Sequence, residues 1–404
     1  MAISENMALT MSYSLRNHGV RVLVRKIRRR LKRPGPLQPE CKRVYARLPE
    51  GGENTSVETA LNSRCSSDYD DKPEISHWGM FDRNARLSEQ DVRRIIEYSD
   101  IRRLTDRKLG IQARDSQLFF LADAEATGPA RDRLMVESGM HQQAVSLVCA
   151  ALGVGSLILN LGLNGKLISE RDFATVRIQL GPMKPSYDGS YWSSSAPEKE
   201  RKWLEGNLPD PARAGTMTLL SAMKAYDLSN PGGAQIDEQS LGQILWAARG
   251  RTPHFYNCTP WGLTIPTWTG KQDISGLHLL SKDGLFEYVN WKDKRPTHSL
   301  ERIRHADDTR YRAMLQAFPP WDGFVILSAG ETHARALWEI GYQLLNLLLQ
   351  AHALRLAYQL ILLNADHKAL FATSLEAGAP VAVIGIHLKV CACLEHSRPA
   401  PSGC

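Results

Sequence analysis

The chain has no CxxC pair. Its seven cysteines are an odd number spread over 404 residues. Cys391-Ala392-Cys393 is too close for a two-ligand zinc knuckle. This pattern excludes a disulfide-stapled secreted scaffold and a zinc ribbon, and the thiols read as buried or free in a reducing cytoplasm. A P-loop, an HExxH pair and a GxSxG elbow are also missing, so the residues for those phosphate, zinc and serine chemistries are absent. Gly153-x-Gly155 is half of a dinucleotide fingerprint, and it follows a helix-like stretch, which is the wrong context. His254, His298, His333 and His352 show no metal-ligand spacing, so no metal site is expected. No secretory signal is expected, because residues 1–19 are polar and the basic run follows them. A long apolar run free of polar groups is lacking too. Trp338–Asn364 carries Glu339, Gln343, Asn346, Gln350, His352 and Arg355, and Ala144–Leu163 contains Gly153, Gly155, Ser156 and Asn160. Neither suits a lipid-facing span.

Acid is absent from residues 21–33 (RVLVRKIRRRLKR), which hold eight Arg and Lys. The formal net charge is +7, so the rest of the chain is close to neutral. The basic balance is therefore an arm rather than a whole-surface field. Val20, Val24, Ile27 and Leu31 recur there at helical spacing. Residues 20–33 could touch nucleic acid or an anionic membrane, or act as a targeting segment. A solvated leader is the favoured reading, because no stacking aromatics are interleaved.

What the chain does have is an ordinary globular balance, 43% hydrophobic and 23% charged, at a length that suits two domains. Residues 1–75 read as a basic, largely disordered leader and linker, with 34–75 rich in Pro, Gly, Ser, Asn and acids. Met80 stands just before the ordered pattern and would serve as an alternative start.

The sequence also contains an internal repeat. Arg133-x-x-x-Glu137-x-Gly139 matches Arg335-x-x-x-Glu339-x-Gly341, 202 residues later. Each continues through a small or apolar helical stripe into a short β-type stretch (Leu157–Leu159; Leu360–Leu362). Each then reaches a strand ending in Gly (Thr175–Gly181; Pro380–Gly385). Upstream, Leu87–Ile96 matches Ile236–Leu245, and Ser88 and Asp237 stand at helix N-cap positions. The reading is an α+β fold of two related units, residues 76–192 and 212–390, with a linker at 193–211 and a tail at 391–404. The second unit contains an extra segment from about Arg251 to Ile303. That segment holds the loop Thr264–Gly270 and two strand-like runs, Gly276–Leu280 and Gly284–Tyr288, joined by a hairpin turn at Lys282-Asp283-Gly284.

These residues carry a resemblance. Ile236–Gly250 (IDEQSLGQILWAARG) resembles the helix before the flavin site in the nitroreductase superfamily, closest to the SagB/ThcOx-type dehydrogenases. Thr264–Gly270 resembles that family's "Arg-Thr-x-Pro-Ser-x-Gly" loop. Gly284–Tyr288 with His298-Ser299-Leu300 resembles its "Gly-x-Tyr-x-Tyr … His-x-Leu" segment. Phe324–Ser328 resembles its central strand, Glu339–Ala351 its long helix and Pro380–Gly385 its closing strand. The match covers roughly residues 215–388.

The resemblance implies a nitroreductase-like mixed sheet flanked by helices, with two tandem copies forming an internal pseudo-dimer that could pair further into a homo-oligomer. It implies FMN at the interface and NADH or NADPH as electron donor. The substrate would be a small molecule or a peptide azoline. Pro266, Thr267, Trp268 and Gly270 would line the ring, and Asn346 would face the site. Arg251 and Arg335 are candidate phosphate cations. The family's "Arg-Arg-Ser-x-Arg" phosphate motif falls near Leu220–Asn230, where Lys224 is the one cation. The alternative is a degenerate, non-catalytic partner in a peptide-modifying assembly.

Overall fold

A computed structural model of the chain describes residues 44–46, 52–64, 85–105, 109–114, 116–123, 126–160, 172–182, 204–252, 262–266, 274–293, 295–305, 309–316, 318, 320–329, 334–363 and 379–389. The chain divides into two units, residues 1–44 and 45–404. Among the described residues, every helix lies in the second unit. The basic run 20–33, the tail 391–404, and Thr267, Trp268 and Gly270 lie outside the described residues.

The architecture is α+β. The first α-helix among the described residues is α1 (Val57–Ser63). Next come α2 (Glu89–Tyr98), strands β1 (Gly110–Arg114) and β2 (Gln117–Asp123), helix α3 (Gly128–Ala151), and strands β3 (Val154–Asn160) and β4 (Asp172–Pro182). After these stand α4 (Leu219–Ala225), β5 (Ser229–Asn230), α5 (Glu238–Arg249), β6 (Arg251–Thr252) and β7 (Gly262–Leu263). The chain goes on through β8 (Ser275–Ser281), β9 (Gly284–Lys292), β10 (Arg295–His305), α6 (Thr309–Gln316) and β11 (Gly323–Ala329). It closes with α7 (Ala334–Ala353), β12 (Tyr358–Leu362) and β13 (Ala379–Ile386).

Local chemistry explains the helix starts. Ser88 Oγ accepts from the Asp91 amide at 3.1 Å and Asp237 Oδ1 from the Ser240 amide at 2.9 Å. Each side chain satisfies a donor that the first helical turn leaves without an intrahelical partner. The hairpin turn lies where its residues predict it, with Ser281 opposite Gly284 and Gly284 at φ +146°. A side chain there would be strained, so glycine is required.

Apart from the two-stranded pair β6-β7, these strands form a four-stranded sheet in the order β1-β2-β4-β3 and a seven-stranded sheet in the order β10-β9-β8-β11-β13-β12-β5. Pairing within both is antiparallel. Parallel pairing enters through isolated bridges, Ala234 with Leu356 and Ile236 with Leu388 among them. β11 lies at the centre of the larger sheet with all seven residues buried. That is why it reads as a continuous apolar run rather than an alternating one. Val325 and Leu327 face the main core beneath the long helices, while Phe324 and Ile326 face a smaller cluster with Met314 of α6.

The same path appears twice. β2-α3-β3-β4 packs its strands in the order β2-β4-β3, and β11-α7-β12-β13 packs its own as β11-β13-β12. Helices α3 and α7 run against one another and cross where Gly139 meets Gly341. A Cβ on Gly139 would stand 2.3 Å from the Trp338 carbonyl oxygen, and one on Gly341 would stand 2.1 Å from that of Val136. Only glycine allows backbones to approach this closely.

Two stretches whose composition suggests linker are packed structure instead. In residues 52–64, Val57, Ala60 and Leu61 of α1 are fully buried. Composition conceals this because the helix is short and set among Gly, Asn, Ser and Thr, and its stability comes from distant partners. Within 193–211, Leu204 and Leu208 are buried, and the Leu208 amide donates to the His298 carbonyl at 3.1 Å.

Burial also titrates. His141, on α3, and His278, on β8, are pushed down to about 4 by desolvation. Around His141, Asp100 opposes the shift and Arg103 adds to it. The unfolded chain takes up these protons near pH 6.5, the folded one near 4, so stability is unaffected above 6.5 and falls between the two values. Each histidine is expected to cost about 3 kcal/mol by pH 4. Urea midpoints at pH 7, 5.5 and 4 check this. His141→Gln with His278→Gln should flatten the decline, and an unchanged slope would refute the assignment.

Candidate functional site

The interior around the α3–α7 crossing is unusually polar. Gln142, Gln143, Gln343, Asn346 and Gln350 are all buried there, and buried amides must find partners. Tyr342 donates to Gln142 Oε1 at 2.6 Å, and Gln350 Nε2 to Glu58 Oε1 at 2.8 Å.

Two of them, Gln143 and Asn346, converge on the turn after β7. Arg251 pairs with Leu263 and Thr252 with Gly262, so α5 runs directly into the base of this turn. The Thr264 amide donates to the Gly250 carbonyl at 3.0 Å, and its hydroxyl donates to the Trp246 carbonyl at 3.3 Å. The Thr264 carbonyl accepts from three side chains on three elements. These are Gln143 of α3 at 3.0 Å, Asn346 of α7 at 3.3 Å, and Arg64, the residue closing α1, at 2.9 Å. A second guanidinium nitrogen of Arg64 reaches the Leu263 carbonyl at 2.7 Å.

Three of the site residues expected from the sequence meet here. Pro266 is buried in the turn. Asn346 Nδ2 also donates to the Ala247 carbonyl at 2.9 Å, and its Oδ1 accepts from Gln143 at 2.8 Å, so both ends of its amide are engaged. Arg251 is buried, with its guanidinium 4.6 Å from the centre of the Trp291 ring, a cation–π distance. Lys224 is exposed in the last turn of α4, and Arg335 is half-buried in the first turn of α7.

A buried ionic cluster lies close by in sequence. Arg249, ending α5, pairs with Glu339 of α7 at 3.7 Å, both nearly inaccessible. Ser275 Oγ donates to Glu339 Oε2 at 3.0 Å, accepts from Gln343 at 2.8 Å and contacts Arg249. Charge compensation and hydrogen bonds together make such burial tolerable. Glu137, the counterpart of Glu339 at the 202-residue offset, accepts from the Leu104 and Thr105 amides at 2.8 Å each. Burial raises its carboxyl, which those amides and the charge of Arg103 partly oppose.

Sequence reasoning missed Arg64, Gln143, Arg249 and Ser275. The row of Gln and Asn inside two otherwise apolar helices was the available signal for Gln143. Nothing local marks Arg64. Among the described residues, no group of three or more His, Cys, Asp or Glu could hold a metal ion, and no helix is long and apolar enough to cross a membrane.

No protein-family description matches the chain, and no curated protein matches it in sequence. Among solved structures it is similar to a protein assigned as a nitroreductase from Anabaena variabilis, at 12% identity over 68% of this chain and 69% of that one, with a TM-score of 0.48. It is also similar to one so assigned from Ralstonia eutropha, at 16% identity over 46% of this chain and 89% of that one, with a TM-score of 0.34.

Proposed function

We propose that the chain is a flavin oxidoreductase of nitroreductase architecture, with two tandem copies paired as an internal pseudo-dimer and FMN held beside the Leu263–Pro266 turn. The crossing of α3 and α7 carries this reading. Gly139 and Gly341 align at the repeat offset and meet one another, as equivalent residues do across the axis of a symmetric dimer. The shared strand order of β2-β4-β3 and β11-β13-β12 supports the same pairing. The SagB/ThcOx-type assignment, and a peptide azoline or small oxidised molecule as substrate, rest on the sequence resemblance of residues 215–388.

The residues present fit the polar edge of the ring. Gln143 Oε1 is buried with no donor among the described residues, and a flavin's imide N–H requires an acceptor. Pro266, followed in sequence by Thr267, Trp268 and Gly270, would line the ring. Arg251, Arg335 and Lys224 are the cations for its phosphate. When bound, FMN would supply hydride transfer from NADH or NADPH to the substrate. The chain holds the turn through Gln143, Asn346 and Arg64, and it excludes water with buried Ile265 and Pro266. The purified protein is expected to absorb as a flavoprotein or to take up added FMN, and then to be bleached by a nicotinamide donor. A colourless preparation that takes up no FMN overturns the proposal.

The second reading, a non-catalytic partner in a peptide-modifying assembly, is favoured by Asn346. Its amide is engaged by the protein at both ends, leaving it little to offer a cofactor. Tight FMN binding with turnover of a nicotinamide donor counts decisively against this reading.

A further inference from the structure

We infer that Arg64 is a positioning residue for the candidate flavin turn, acting from a segment outside both copies. This rests on the reading of that turn as the flavin site. Arg64 is 3% exposed and bridges two successive carbonyls, Leu263 at 2.7 Å and Thr264 at 2.9 Å. A planar guanidinium holds two acceptors in a fixed relation that a lysine ammonium cannot reproduce. The two carbonyls fix the direction in which the chain leaves β7 toward Pro266.

The segment that carries Arg64 is itself anchored to both copies. Thr55 Oγ1 donates to the Ala151 carbonyl at the end of α3 at 3.2 Å, and Glu58 accepts from Gln350 of α7 at 2.8 Å. The Val57 amide donates to the Met217 carbonyl at 3.1 Å, and the Leu219 amide to the Thr55 carbonyl at 2.8 Å. Residues 52–64 thus form a strap across the ends of the two long helices. Its last residue clamps the turn.

The test uses the full-length chain with Arg64→Met and Arg64→Lys. The control is Ser56→Ala, which removes the cap at the other end of the same helix. Hydrogen exchange of the peptide covering residues 262–266 and the FMN dissociation constant are measured for each, with thermal unfolding recorded alongside. Arg64→Met is expected to raise exchange in that peptide above the effect of Ser56→Ala. It should also weaken FMN by about tenfold, the loss that one charge-assisted hydrogen bond carries. Arg64→Lys should restore part of the unfolding temperature and little of the affinity. Exchange unchanged in Arg64→Met, or equal effects from Ser56→Ala, would overturn the positioning role. If Arg64→Met does not fold, Arg64→Lys alone decides by the same exchange measurement. Failure of the flavin reading looks different: the unmodified chain takes up no FMN, while the exchange result still judges the clamp.

Discussion

Replacing Gly139 or Gly341 by alanine is expected to destabilise the protein by about 3 kcal/mol, at the top of the range for overpacking a core. The sign is the informative part. Inside an ordinary helix, glycine to alanine gains up to about 1 kcal/mol, because alanine is the better helix former. Here the new methyl group meets backbone that cannot rotate aside. At Gly139 it would stand 2.3 Å from the Trp338 carbonyl oxygen and 2.8 Å from its Cα. At Gly341 it would stand 2.1 Å from the Val136 carbonyl oxygen and 2.9 Å from Gly139 Cα. The helices must separate, which loosens every amide contact between them. Because one separation relieves both clashes, the double variant should cost less than the sum of the singles. Denaturant unfolding of the three variants measures this, and a stabilised Gly341→Ala would contradict the crossing.

The second large effect is expected from a chain that begins at Met80. It lacks α1, so Val57 and Leu61, both fully buried, are lost from the core. Those two side chains alone account for about 3–5 kcal/mol, against a total stability for typical domains of about 5–15 kcal/mol. Gln350, Ala151, Leu263 and Thr264 each lose a hydrogen-bond partner as well. The shortened chain is expected to be insoluble or to unfold without cooperativity. A chain beginning at residue 40 keeps α1, so comparing the two separates loss of the helix from loss of the basic run. Circular dichroism melts of both decide the matter, and a cooperative transition in the Met80 chain would refute the role given to α1.

What was legible in the sequence is what is local. Ser88 and Asp237 announce helix starts because a capping side chain acts on an amide three residues away. The β8–β9 hairpin is marked by its turn residues, and β11 by an unbroken apolar run. The paired glycines were visible as a repeat, but their purpose was not, since a close approach involves two backbones and only one is on view at a time. Arg64 and Gln143 were out of reach for the same reason. Their partners lie 200 and 121 residues away in sequence. Asn346 reaches the Thr264 carbonyl, yet its hydrogen bonds depend on the register between α3 and α7, which no spacing within either helix encodes.

The strap has a consequence in time. Its contacts close loops of 96 residues to Ala151, 200 to Thr264 and 292 to Gln350. Although residues 52–64 are synthesised early, their last partner emerges long afterwards. At about 5–20 residues per second, that interval is roughly 15–60 s. For all of it Val57 and Leu61 have no finished surface to dock on, and once the turn at Thr264 is made it waits for Asn346, the one of its three donors that follows it in the chain. Docking of α1 therefore becomes a step that waits for both long helices, α3 and α7. A nascent chain stalled after residue 266 and before residue 350 would carry every residue of the Leu263–Pro266 turn and still lack the contact between Glu58 and α7.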